Sequence, residues 1–150
     1  MINKIIIITD ATCKVPNAHI KGRTGKGYAA IAGVIIDESE NILWEKGKYL
    51  GEKTVPEAEM EALIMAFDEA AGYCRKNVEI RMDSELCVKW MNGEYRLKKE
   101  HIRKLFDKVK ELEKRFDSVQ YIWHTRESKW AKYVDNLADK EYKKYMKSSP

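Results

Sequence analysis

No stretch of this chain of 150 residues is apolar for long enough to cross a membrane as a helix. Its N-terminus lacks a signal-peptide pattern, because one Lys and a short apolar run lead directly into a strand. Cysteine is scarce. Cys13, Cys74 and Cys87 form an odd set with no C-x-x-C pair. That speaks against a disulfide framework or a zinc site and for a reduced, cytoplasmic setting. Gly22-Arg23-Thr24-Gly25-Lys26-Gly27 has the glycines of a phosphate loop but not its Gly-Lys-Ser/Thr ending, so a nucleotide-binding P-loop is rejected. Paired strands with Gly-rich phosphate hairpins are absent too, which sets aside an actin-like or sugar-kinase-like ATPase. There is no internal repeat, linker or shift of composition, so residues 1–147 read as one domain and 148–150 as a frayed tail. A strong charge excess is lacking as well. The net charge of +4 is compatible with a polyanionic partner and carries little weight alone.

What is present begins with Ile5-Ile6-Ile7-Ile8-Thr9-Asp10. Four successive isoleucines suit a strand covered on both faces, at the centre of a sheet. The strand is expected to stop on Asp10, where open α/β sheets place their chemistry. Residues 11–27 then read as a polar loop, either simply solvated or a basic flap facing a substrate. Tyr28–Ile36 and Ile42–Tyr49 form the next two strands, joined by the turn Asp37–Asn41 as an antiparallel hairpin.

Thr54-Val55-Pro56-Glu57 has the pattern of a capping box with Pro in the first turn, and the helix is expected to reach about Tyr73. On its wheel Glu59 falls in the arc of Leu63, Ala66 and Ala70. A carboxylate there is costly unless it is paired or binds a cation. A first-turn Glu favouring the helix dipole is an equal competitor. Val78–Asp83 is a fourth strand that again ends on Asp and should run parallel to the first. Two such carboxylates repel each other, and with an inward Glu they make a hard-oxygen site for a divalent cation.

Ser84–Met91 reads as a short helix closed by Asn92-Gly93, and residues 94–99 lead into a longer helix that reaches about Phe116, with Ile102, Leu105, Phe106, Val109, Leu112 and Phe116 as its core stripe. Arg96, Lys98, Lys99 and Arg103 beside Trp90 and Tyr95 could hold a nucleic-acid backbone or be a solvated face. Val119–His124 is the fifth strand, and Ser128 can cap a last helix over about 129–147. Trp130, Val134, Leu137, Ala138, Tyr142 and Tyr145 form its buried arc, with Asp135 rather than Asp139 expected inward.

Four segments in order resemble motifs of one family. Ile8-Thr9-Asp10-Ala11-Thr12-Cys13, the helix start Thr54–Leu63, Met82-Asp83-Ser84-Glu85-Leu86-Cys87-Val88 and Val134-Asp135-Asn136-Leu137-Ala138 are similar to those of type 1 ribonuclease H. Asn92-Gly93-Glu94-Tyr95 is similar to a segment of its short members, those without the basic protrusion. The resemblance implies an α/β ribonuclease H-like fold, with a five-stranded mixed sheet of order 3-2-1-4-5 whose first three strands are an antiparallel meander. It implies an endonuclease that cuts the RNA strand of an RNA–DNA hybrid, leaving 5′-phosphate and 3′-hydroxyl ends. Asp10, Glu59, Asp83 and Asp135 would be the catalytic residues and would hold two Mg2+, replaceable by Mn2+. Cys13, Asn17, Ser84, Trp90, Tyr95, Lys98 and Lys99 would contact the substrate, and the enzyme would act as a monomer. The departures are Ala11 in place of Gly, Val55-Pro56 in place of an Asn pair, and a longer loop after Cys13 without a Gly-Asn-Pro-Gly run. They bear on the strictness of hybrid preference. A nuclease of the same fold with another nucleic-acid substrate, and a non-catalytic nucleic-acid-binding relative, are the alternatives. His124 lies out of register for the histidine that assists turnover in some members, and His19 and His101 are expected in solvent.

Overall fold

The computed structural model describes residues 2–14, 26–94 and 99–148. Three strands come first: β1 (Lys4–Lys14), β2 (Lys26–Asp37) and β3 (Ile42–Thr54). They are followed by α1 (Val55–Ala70), β4 (Asn77–Met82), α2 (Glu85–Met91), α3 (Glu100–Glu113), β5 (Ser118–Trp123) and α4 (Lys129–Ser148). The sheet order is β3-β2-β1-β4-β5, with β1–β3 antiparallel and β4 and β5 parallel to β1. The order and the meander are those expected.

The isoleucine run divides by parity. Ile5 and Ile7 enter a core with Leu63 and Phe67 of α1 and Val109 and Leu112 of α3. Ile6 and Ile8 point to the other face, against Trp130, Val134 and Ala138 of α4. Period-two alternation sends successive side chains to opposite faces, so a strand that is apolar at every position needs a helical layer on each side. Burying one such side chain is worth about 2 kcal/mol, which makes β1 the anchor of both layers. Gly33 of β2 lets α1 approach. A Cβ there would lie 2.9 Å from the Cβ of Ala66.

Several boundaries differ from expectation. β1 does not stop at Asp10; Ala11–Cys13 continue as strand, paired with Ile31, Ala30 and Ala29. The bulk of β1 is held by two neighbours, but its end needs only the β2 edge, which apolar β2 supplies. β3 likewise runs on to Thr54. α1 ends at Ala70, with Ala71–Tyr73 in turns. α3 starts at Glu100, after the expected lead-in and with Lys99 as its N-cap, but it ends at Glu113 and not near Phe116; residues 95–98 lie outside the described residues. Tyr145, assigned to the buried arc of α4, is exposed, and its ring stacks on Tyr49 of β3 at 3.7 Å between centroids. Ser128 opens α4 through its carbonyl, which accepts from the Lys132 N–H, while its hydroxyl donates to the Thr125 carbonyl.

Candidate active site

The last rung between β1 and β4 joins Thr9 to Met82. The next residues are Asp10 and Asp83, so parallel register delivers both carboxylates to the same end of the sheet. Asp10 thus sits where β4 runs out, not where β1 ends. The third acid comes from α1, whose first turn is fixed by a complete capping box. The Thr54 hydroxyl accepts from the Glu57 N–H at 3.3 Å, and the Glu57 carboxylate accepts from the Thr54 N–H at 2.9 Å. That locks the phase of the helix, and Glu59 falls on its buried stripe between Ala58 and Met60. One carboxylate oxygen from each of Asp10, Glu59 and Asp83 lies within 4.8 Å of the others.

Such a cluster is electrostatically short of positive charge. Burial, followed by the charges of Asp83 and Asp135, pushes the Asp10 carboxyl up to about 8, against the Ala11 N–H, which donates to it at 2.8 Å. Burial first, and then Asp10 and Asp83, hold the Glu59 carboxyl well above the ordinary carboxylate range. The Oε2 of Glu59 is buried with no hydrogen-bond partner. Arg126 offsets part of the charge, its Nε lying 3.3 Å from Asp83 Oδ2, but its side chain is 86% exposed. Hard oxygen donors, an orphaned buried carboxylate oxygen and mutual repulsion together fit a divalent cation. Asp10, Glu59 and Asp83 are the residues that would hold it.

A cavity of about 500 Å³ opens over the cluster, and Asp135 and Asp139 of α4 also line it. Asp135 is exposed, whereas Asp139 is the more covered of the two. This reverses the expected inward and outward assignment. α4 packs across the face of β1–β3 and brings Asp139 to Lys14 at the end of β1, so Asp139 is held by ion pairs with Lys14 at 3.4 Å and Lys143 at 2.8 Å. Asp135 still faces the cavity and acts on Asp10 through its charge.

The substrate-contact set is scattered. Cys13 lines the cavity and its thiol donates to the Lys53 carbonyl at 3.3 Å. Ser84 caps α2, accepting from the Cys87 N–H, and Trp90 packs against the core of the α1 face. Lys99 is exposed at the start of α3. None of these three lines the cavity. Asn17, Tyr95 and Lys98, like most of the 11–27 segment, lie outside the described residues. His124 sits in a separate depression with Arg81 and Trp130, where burial lowers its ring below the usual histidine range. Sequence reasoning missed Arg126, Lys14 and Asp139 as cavity residues. The signal available for Arg126 was its place in the loop after β5, at the same end of the sheet as the acids.

A family model described as reverse transcriptase-like matches residues 19–140. The RNase H1 called LC11, isolated from compost by a metagenomic approach, was solved in complex with an RNA/DNA hybrid. Its structure matches with a TM-score of 0.80 at 31% identity, over 95% of this chain and 99% of that one.

This chain belongs to the type 1 ribonuclease H family.

Other members of the ribonuclease H family agree in fold. The N-terminal RNase H domain of Rv2228c from Mycobacterium tuberculosis matches with a TM-score of 0.84 at 25% identity, covering 98% of this chain and 99% of that one. In sequence, the bifunctional protein Rv2228c is 29% identical over 113 residues, which are 75% of this chain and 30% of that protein. Ribonuclease HI of Halobacterium salinarum is 32% identical over 95 residues, 63% of this chain and 48% of that protein. This ribonuclease H chain therefore spans less than half the length of these curated relatives.

Proposed function

We propose that this chain is an endoribonuclease that hydrolyses the RNA strand of RNA–DNA hybrids. The observation that carries the reading is the convergence of Asp10, Glu59 and Asp83 within 4.8 Å under a cavity that Asp135 also lines. These four acids would hold two Mg2+, or Mn2+ in their place. Such a cation pair would supply an activated water and would neutralise charge on the scissile phosphate and the leaving 3′ oxygen. The protein's own part is placement. β1 and α1 fix Asp10 and Glu59 rigidly, at 5% exposure each, so neither carboxylate must reorganise to bind. Arg126 brings a guanidinium to the cavity wall, a donor suited to a phosphate oxygen. Cleavage would leave 5′-phosphate and 3′-hydroxyl ends. Family membership and the hybrid seen with LC11 support the substrate class. Among the described residues no helix is long and apolar enough to cross a membrane. The same reading takes residues 1–147 as one domain, acting as a cytoplasmic monomer.

One observation favours a broader substrate range. Val55 lines the cavity with 48% exposure, an apolar surface where the family carries a polar Asn that reads the hybrid. A cleavage panel with Mg2+ or Mn2+ separates the readings, using hybrid, double-stranded RNA, single-stranded RNA and DNA duplex. Cutting of the hybrid, abolished by Asp10→Asn, is the expected result. Cutting confined to another member of the panel would replace the substrate, and cutting by none would leave the non-catalytic alternative.

A further inference from the structure

We propose that the C-terminal half of α4 is a second nucleic-acid contact, a lysine track that grips the duplex backbone beyond the cleaved phosphate. The proposal rests on the nucleic-acid reading above and extends it to a surface that reading does not use.

Lys140, Lys143, Lys144 and Lys147 recur at the i, i+3, i+4, i+7 spacing of a single helix face. All four are exposed, and with Asn136 and Asp139 they line a groove of about 510 Å³. Asp139 also lines the cavity over the acids, so groove and cavity adjoin at that residue. Its carboxylate is held between Lys14 and Lys143, and hydrogen bonding from Lys143 in particular keeps it below the usual carboxylate range. The junction is therefore not a block of negative charge. The other carboxylate of this stretch, Glu141, is turned to β3, its Cγ 2.5 Å from where a Cβ on Gly47 would lie.

A solvated helix face normally mixes its charges, as α3 does, with four basic and four acidic side chains in its fourteen residues. From Lys140 to the end of α4 four lysines face one carboxylate. The imbalance lies on one stripe and leads out of the cavity. From Asp135 to Lys147 the helix rises about 18 Å, a distance over which one strand of a duplex presents about five phosphates. Ammonium groups so spaced suit a sequence-independent phosphate track, which adds affinity without touching the reacting phosphate.

The test is the salt dependence of duplex binding by the full chain carrying Lys140→Gln, Lys144→Gln and Lys147→Gln together. Lys143 is left in place because it supports Asp139. The probes are a hybrid and a DNA duplex of about 24 base pairs, measured by fluorescence anisotropy in EDTA. Loss of three phosphate contacts should flatten the slope of log affinity against log salt by about 2.7, narrowing the gap to wild type about 40-fold between roughly 50 and 200 mM salt. In cleavage assays KM should rise while kcat holds. The corresponding Lys→Arg triple variant should keep the wild-type slope. An unchanged slope in the Gln variant, or an Arg variant that behaves like it, would overturn the track. If wild type cuts no hybrid yet the slope flattens, the track stands and the catalytic reading falls. If wild type cuts hybrid and the slope is unchanged, the track alone falls.

Discussion

Replacing Asp10 by Asn should abolish cleavage and at the same time stabilise the cation-free protein. The carboxyl sits at 5% exposure beside Asp83 and Glu59, and is raised from 3.8 to about 8. An acid whose folded value lies above its unfolded value holds its proton in the native state at pH values where the unfolded chain has lost it. Stability therefore falls as pH rises through that window, here from about pH 4 to pH 8. At pH 7 the loss is about 4 kcal/mol, from 1.36 kcal/mol for each pH unit above the unfolded value. Asn does not titrate, and its amide oxygen can still accept the Ala11 N–H that now reaches Asp10 Oδ1 at 2.8 Å. Urea unfolding in EDTA across the window should give equal stabilities for the two proteins near pH 4. The variant's advantage should grow to about 4 kcal/mol at pH 7 and level off above pH 8. Added Mg2+ should reverse the order, because wild type gains binding energy that the variant has lost. A variant that is less stable at every pH, or a difference that does not move with pH, would refute the claim that Asp10 is held against its own charge.

Three further outcomes follow from the packing. Thr54→Ala removes the hydroxyl half of the capping box and should cost about 1 kcal/mol in denaturant unfolding, with a drop in kcat because α1 carries Glu59 two turn positions beyond the box. Gly33→Ala places a methyl 2.9 Å from Ala66 Cβ and 3.3 Å from the Trp44 ring, and should lower stability by about 1–3 kcal/mol; a neutral result would mean that α1 can back away from β2. Cys87, whose thiol burial pushes up to about 12, should resist iodoacetamide at about pH 8 until the chain is unfolded, as read by mass spectrometry. Labelling of the native protein at the rate of a free thiol would show that α2 opens.

The patterns that survived translation from sequence to structure are local ones with a fixed period. Four isoleucines in a row require cover on both faces of β1, because alternation leaves no other place for them. The capping box sets the phase of α1, and the phase alone turns Glu59 inward. The acid that follows the end of the fourth strand, Asp83, was legible in the same way. What failed was set by distant partners. β1 runs on past Asp10 because β2 is there to pair with it, a fact absent from residues 11–14 themselves.

The chain's own sequence thus determined the elements, their order, the two-sided core and the identity of the buried acids, since each depends on propensity and periodicity within one segment. Only the tertiary structure decided how those acids meet. The Thr9–Met82 rung brings Asp10 beside Asp83 across a sequence gap that no local rule spans. The crossing of α4 exposes Asp135 and encloses Asp139 between two lysines, where a helical wheel, blind to the neighbouring strand, assigned them the other way. The reason is physical: a wheel fixes directions about one axis, whereas burial depends on where that axis lies against everything else.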